Sequence, residues 1–206
     1  MIRAMYAAAT GMAAEQQNLD LVAENLANAD VAGFKGAQAI FSALGPGGEL
    51  GTTVAAVRRL FSQGKLMKSG GPCDLAIEGP GFFRVERDGR EGFVRSAAFA
   101  RAADGSLRDP DGWQLAGVRI PAAARSLAVN PAGQVLATVG SGKPRVVGRI
   151  ALVDFAAPEA LEPLGATVFA ATRESGKAYV LPTGGAHEPQ IAFGMLEKSN
   201  VSIVEA

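Results

Sequence analysis

One helical pattern opens the chain, and turn signals interrupt almost every segment that follows it. Apolar side chains recur every seven residues within 3–29, which is the spacing of a coiled-coil seam, and alanines stand beside them. We therefore predict one helix over 3–29 that packs against other helices, from the chain's other end or from neighbouring copies. The alternative is an amphipathic helix on the core of its own domain. The candidate seam residues are Met5, Met12, Leu19, Val22 and Leu26.

Glycine and proline divide the rest of the chain into three further regions. The stretch 34–73 contains strong breakers at 45–48 and 70–72, and we interpret it as a Gly-rich extended arm or flexible linker after the helical region 1–33. Between these breakers, the weak alternation over 52–60 indicates a strand. From residue 74 to 193, short strand-like runs alternate with turn pairs such as the hairpin signal Asp88-Gly89, which is typical of an irregular all-β domain. The predicted fold class is therefore mostly β with an N-terminal α-helix.

The last region, 194–206, begins an amphipathic pattern and then ends. Ser199 or Asn200 would cap a helix there, so we expect the start of a C-terminal helical region. With the first helix it would form a coiled-coil region of terminal helices.

The charge balance and the rare residue types exclude several classes of function. Twenty Lys and Arg residues are matched by twenty Asp and Glu residues, whereas a nucleic-acid or anionic-membrane binder needs a basic face. No run of about twenty apolar residues exists to span a membrane. One Cys forbids an internal disulfide, and one His with one Cys leaves no zinc-binding set. We therefore expect no nucleic-acid partner, no membrane insertion, no metal and no cofactor.

No set of residues indicates an enzyme. The sequence 140–143 resembles part of a phosphate-binding loop, but Pro144 stands where that motif needs Ser or Thr. His187 lies among glycines and a proline, which is typical of a surface loop. A nucleophile, a base and an orienting group are not all present in any candidate site, so we predict no enzymatic activity.

Four segments, at both ends and in the middle of the chain, match the signatures of one protein family in the order that the family has them. The motif residues are Asn25, Leu26, Asn28, Gly33 and Phe34 in the first, Gln63 and Gly64 in the second, Asp74, Ile77, Gly79, Gly81, Phe82 and Phe83 in the third, and Ser199, Asn200 and Val201 in the fourth.

Together these segments resemble the bacterial flagellar rod and hook family. The resemblance is greatest to distal-rod members. The stretch 35–51 is shorter than in those members, which leaves a proximal-rod paralogue or a hook-type axial protein open. Relatives continue past the fourth segment into a long helix, so we expect either a truncated sequence or a member without that partner helix.

The resemblance implies a structural protein of the flagellar basal body. It implies export by the flagellar export apparatus without a cleaved signal, and helical self-association in a rod that crosses the periplasm. Terminal helices would form the inner tube, and the β domain would lie outside it. Other rod and hook proteins would be its neighbours, and it would transmit torque from motor to hook. The competing interpretations are a secreted β-domain binding module with an oligomerising helix and an enzyme that uses carboxylates alone.

Overall fold

The computed structural model describes residues 2–46, 50–140 and 142–202. It begins with one helix, α1 (Ile2–Ala27), and continues as short strands in several sheets. The predicted fold class, mostly β with an N-terminal helix, is confirmed. No helix among the described residues is long and apolar enough to cross a membrane.

The strands of the described residues are short and antiparallel. In chain order they are β1 (Ala37–Ala43), β2 (Thr52–Arg59), β3 (Leu66–Lys68), β4 (Asp74–Glu78), β5 (Phe82–Arg87), β6 (Arg90–Val94), β7 (Ser96–Ala98), β8 (Ala100–Arg101), β9 (Leu107–Arg108), β10 (Gln114–Leu115), β11 (Ala124–Val129), β12 (Gln134–Val139), β13 (Arg145–Arg149), β14 (Leu152–Asp154), β15 (Glu162–Pro163), β16 (Val168–Ala170), β17 (Tyr179–Val180), β18 (Gln190–Phe193) and β19 (Met195–Glu197).

Helix α1 ends close to its predicted position. The side chain of Asn28 donates a hydrogen bond of 2.8 Å to the Glu24 carbonyl oxygen in the last turn, which also accepts the Asn28 N–H at 3.2 Å. Gly33 follows with φ +78°, a left-handed conformation that glycine adopts without steric penalty. The chain therefore turns away from the helix axis before it enters β1.

The predicted arm contains an antiparallel hairpin, and the run 52–60 that we predicted as a strand forms its second strand, β2. Strand β1 pairs with β2 from Ala37 opposite Arg59 to Ala43 opposite Thr52, and α1 packs against both strands. Gly45, with φ +82°, lies in the loop that joins these strands, Gly70 and Gly71 lie between β3 and β4, and the breakers at 47 and 48 lie outside the described residues. The domain boundaries 1–33, 34–73, 74–193 and 194–206 stay a prediction.

The β domain is built around a nine-stranded sheet in the order β15-β16-β6-β5-β10-β9-β8, with β14 paired to β5 and to β17. Strands β5 and β6 are joined by Asp88 and Gly89 at φ 51° and 74°, the positive values that a two-residue hairpin turn requires. Leu75, Phe83 and Val85 are completely buried in the main core.

A second apolar cluster joins the arm to the β domain. Phe82, Phe93, Phe155 and Phe169 are buried together, and Phe61 of the arm packs on them. The ring of Phe61 lies edge-to-face at 5.3 Å from Phe82 and 5.0 Å from Phe169 between ring centroids. This arrangement favours aromatic packing, so the arm is held on the β domain and not merely linked to it.

The C-terminal segment differs from its predicted structure. Residues Met195–Glu197 form β19, which pairs antiparallel with β3. We predicted a helix from Ser199 or Asn200, and this prediction is wrong for residues 199–202, which have an irregular backbone. Residues 203–206 lie outside the described part of the chain. Pairing with a distant strand outweighs the local amphipathic pattern here.

Candidate functional site

The fold brings polar residues from distant parts of the sequence to one place beneath α1. We define the junction as Lys35, Arg95, Ser96, Glu197 and Asn200. It lies where the loop after α1, the end of β2, the β6–β7 connection and the C-terminal segment meet. Its members link the helix and hairpin to the β domain.

The Glu197 carboxylate is the centre of the junction. One of its oxygens, Oε1, accepts hydrogen bonds from Lys35 Nζ at 2.6 Å and from the Gly64 N–H at 2.7 Å. The other, Oε2, lies 3.3 Å from Arg95 Nε. The side chains of Lys35 and Glu197 are 0% exposed and that of Arg95 is 3% exposed. One buried carboxylate is therefore shared by two buried cations, and the three side chains together carry one net positive charge.

Burial lowers the pKa values of the two cations. Desolvation lowers the pKa of the Lys35 ammonium and that of the Arg95 guanidinium, because a charged group loses its hydration. The Glu197 carboxylate raises the pKa of both groups by charge attraction and hydrogen bonding, but burial has the larger effect. Without Glu197, Lys35 would have no carboxylate partner and Arg95 would have only the more distant charge of Asp154.

The backbone around Glu197 is fixed as well. Its N–H donates to Ser96 Oγ at 3.0 Å, and that hydroxyl donates to the Leu75 carbonyl at 3.1 Å. The Glu197 carbonyl accepts a 2.7 Å hydrogen bond from the Gly33 N–H. Arg95 donates to the Gly81 carbonyl at 2.7 Å. Strand β19 is thus tied both to the turn after α1 and to the β domain.

Two asparagines hold the backbone at the start of β1. Asn25 of α1 donates to the Ala37 carbonyl at 2.7 Å and accepts from the Ala37 N–H at 2.9 Å. One residue earlier, the Gly36 N–H donates to Asn200 Oδ1 at 2.8 Å, and Asn200 Nδ2 donates to Ser62 Oγ at 2.9 Å. The direction of α1 is therefore fixed relative to the C-terminal segment.

A backbone position in the junction leaves no room for a side chain. A Cβ atom on Gly64 would overlap the carbonyl oxygen of Lys198. We expect Gly64→Ala to lower the free energy of unfolding by about 1–3 kcal/mol, since an overpacked site must shift its neighbours. The matched control is Gly70→Ala, whose Cβ would meet nothing within 4 Å. Urea titration measures both, and equal stabilities would contradict the close approach.

The candidate seam lies on the face of α1 that points away from the hairpin. The helix buries Ala14, and at 100° per residue the seam lies about 120–180° around the helix from it. Val22 differs, because it is half-buried at the side of the helix near Asn25. The exposed fractions of the other four are 72% for Met5, 69% for Met12, 59% for Leu19 and 56% for Leu26.

The described residues hold no group of three or more His, Cys, Asp or Glu side chains that could bind a metal ion. Every polar member of the junction is occupied by a contact within the chain. The arrangement can hold an exposed apolar helix in a fixed direction, which is a property useful for assembly.

Comparison with known proteins identifies the family to which the chain belongs. The family model for flagella basal body rod proteins matches residues 5–35, and that for the flagellar hook protein FlgE/F/G D1 domain matches residues 76–137. The chain is 34% identical to the flagellar basal-body rod protein FlgG of Agrobacterium fabrum over 99% of the chain and 87% of that relative. The chain belongs to the flagellar rod and hook family.

Other members of the flagellar rod and hook family are nearly as similar. FlgG of Bacillus subtilis is 27% identical over 100% of the chain and 87% of its own length. The flagellar basal-body rod protein FlgF of Caulobacter vibrioides is 30% identical over 99% of the chain and 84% of its own length. The family resemblance drawn from the four motif segments is therefore confirmed.

Some of the family motif residues lie in or beside the junction, and others do not. Asn200 is a member of the junction, Gly33 and Gly64 donate backbone hydrogen bonds to Glu197, and Asn25 bonds Ala37 beside the junction. Gln63 instead joins the arm to the third segment, through the Ile77 carbonyl and the Gly79 N–H. The remaining ones are the exposed Leu26 on α1, Asn28 directly after α1, buried Phe34, Asp74, Phe82 and Phe83, Gly81 before β5, and Ser199 and Val201 in the C-terminal segment.

No pattern in the sequence predicted the ion pairs of the junction, which join Glu197 to Lys35 and Arg95. Lys35 and Glu197 fall inside family segments, but they are 162 residues apart, and no local spacing pairs them. Arg95 lies outside those segments. The sequence around Glu197 gives no signal of burial, because apolar Leu196 precedes it but charged Lys198 follows it directly.

Proposed function

We propose that this chain is a structural subunit of the flagellar basal-body rod and has no enzymatic activity. The observation that carries the proposal is the exposed apolar seam of α1, held in a fixed direction by the junction. Large apolar side chains aligned on one exposed helix face are typical of a surface that another protein covers. Copies of this chain, joined through the seam in a helical array, are the partner that the family favours.

Helical assembly gives the seam a mechanical role. An open helical array needs head-to-tail contacts, in which different surfaces of neighbouring copies meet. Residues at the seam would form the inner wall, and the β domain, fixed to α1 through the junction, would lie outside it. Torque from the motor to the hook would pass through these contacts. Other rod and hook proteins would meet the two ends of the array, after delivery by the flagellar export apparatus.

Before assembly, α1 is oriented by the hairpin and the junction but gains little stability from buried side chains. Of its described side chains only Ala14 is buried, and an isolated helix is marginal in water. We expect the amides of α1 in the monomer to exchange with solvent about a hundredfold faster, or more, than those of β5 and β6. Hydrogen exchange with mass spectrometry measures this difference. Protection of α1 equal to that of the central strands would contradict the proposed coupling of helix formation to assembly.

The proposed function is tested by deleting the gene in its source bacterium. Deletion should abolish motility and leave isolated basal bodies without a complete rod, and a plasmid copy should restore both. Retained motility with intact rods would contradict the proposal. A secreted binding module or a carboxylate enzyme would give that second result.

A further inference from the structure

The charges of this neutral chain are unevenly distributed. Residues 112–153 contain five of the twenty basic residues and none of the twenty acidic ones, so the rest of the chain carries a net charge of −5. The five are exposed, and within the described residues none takes part in an ion pair. They are Arg119, Arg125, Lys143, Arg145 and Arg149.

These residues belong to one sheet and the loop before it. We define the basic sheet as β11-β12-β13, which carries four of them on its strands and turn. Arg119 adjoins it, because its neighbour Val118 forms a bridge to Gly148 of β13. The charges are thus gathered on one part of the β domain.

The basic sheet also exposes apolar side chains. Val139 at the end of β12 and Val146 in β13 are exposed between the basic residues. Exposed apolar side chains with arginines around them are characteristic of protein–protein interfaces, whereas a surface that binds only a polyanion has no use for them. The partner that fits is therefore a protein surface with carboxylates beside an apolar residue.

A second part of the same chain has that complementary character. We define the acidic edge as residues 158–164, which hold the carboxylates of Glu159 and Glu162 and no basic residue. It includes the short 3-10 helix Pro158–Ala160, which carries Glu159, and strand β15 at the edge of the nine-stranded sheet, which carries Glu162. Both carboxylates are exposed, as is the apolar side chain of Leu164 that follows them.

We infer that the basic sheet of one copy docks on the acidic edge of a neighbouring copy. This inference rests on the proposed function, because head-to-tail assembly brings unlike surfaces of identical subunits together. Opposite charges then steer the copies and fix their register, while like-charged arrangements are rejected. The outer domains would add a contact independent of the α1 seam.

The test reverses the charges on each side of the proposed contact. Light scattering and sedimentation then measure the self-association of the full chain. In 50 mM NaCl, R145E/R149E and E159R/E162R should each weaken self-association about tenfold or more, because like charges would meet. The fourfold variant with both exchanges should recover self-association. Added salt should weaken the wild-type contact, since exposed charges are screened. Circular dichroism of each variant checks that it is folded.

Other outcomes overturn the inference in distinguishable ways. If Leu19→Asp loses self-association while both charge variants keep it, the proposed function stands and this contact is rejected. A fourfold variant that is folded and does not recover would also reject it. A wild-type chain that stays monomeric at every concentration would reject the contact together with the proposed assembly. Salt-sensitive binding of polyglutamate by the basic sheet, with unchanged self-association in the charge variants, would assign the sheet to another anionic partner.

Discussion

Glu197→Gln is expected to lower the free energy of unfolding by about 3–5 kcal/mol, because it leaves the buried charges of Lys35 and Arg95 without their counter-ion. The glutamine keeps the size of the side chain and one acceptor oxygen, so the loss reports charge and not volume. Chemical denaturation of the purified chain measures the effect.

The control for this prediction is a carboxylate in an exposed pair. Glu91 lies 3.4 Å from Arg84, and both side chains are half exposed. Glu91→Gln should cost no more than about 1 kcal/mol, since surface ion pairs contribute little. The double variant K35M/E197Q should be less destabilised than the sum of its single variants, because removing Lys35 removes one of the unpaired charges. A loss below 1 kcal/mol for Glu197→Gln would contradict the role of this carboxylate.

Leu19→Asp is expected to abolish assembly while leaving the monomer folded. Leu19 is 59% exposed in the isolated chain, so the substitution should change the free energy of unfolding of the monomer by about 0.5 kcal/mol or less. In the assembly a carboxylate at the seam would be buried without a partner, at a cost of several kcal/mol in every copy. We expect the concentration needed for self-association to rise more than about a hundredfold.

Two control variants separate the seam from a general effect of charge on the helix. Gln17 is exposed and lies about 160° around the helix from Leu19, so Gln17→Asp should assemble normally. Leu19→Met keeps an apolar side chain of similar size at the seam and should also assemble. Normal rods and motility in Leu19→Asp would contradict the seam assignment.

Local patterns predicted the elements that depend on neighbouring residues. The seven-residue spacing identified α1, and the Asp88-Gly89 pair identified the β5–β6 turn, because both structures are determined within a few residues. The breakers Gly45 and Pro46 were recognised, and they lie shortly after β1 in the β1–β2 hairpin, while those at 47 and 48 lie outside the described residues. Turn residues by themselves do not reveal which strands pair across them.

The features that could not be predicted depend on contacts between residues far apart in the sequence. The C-terminal segment has an amphipathic pattern, yet residues 195–197 pair with β3, more than a hundred positions away. In the same way, Lys35, Arg95 and Glu197 meet only after the chain has folded. The candidate seam was visible because it repeats along one helix, whereas the junction depends on contacts across the whole chain.

The most direct measurement is a cryo-electron microscopy map of basal bodies isolated from the source bacterium. We predict density for this chain in the rod, with α1 in the inner wall and Met5, Met12, Leu19 and Leu26 in contact with helices of neighbouring subunits. A map in which this chain is absent from the rod, or in which that face of α1 is exposed to solvent, would contradict the proposed function.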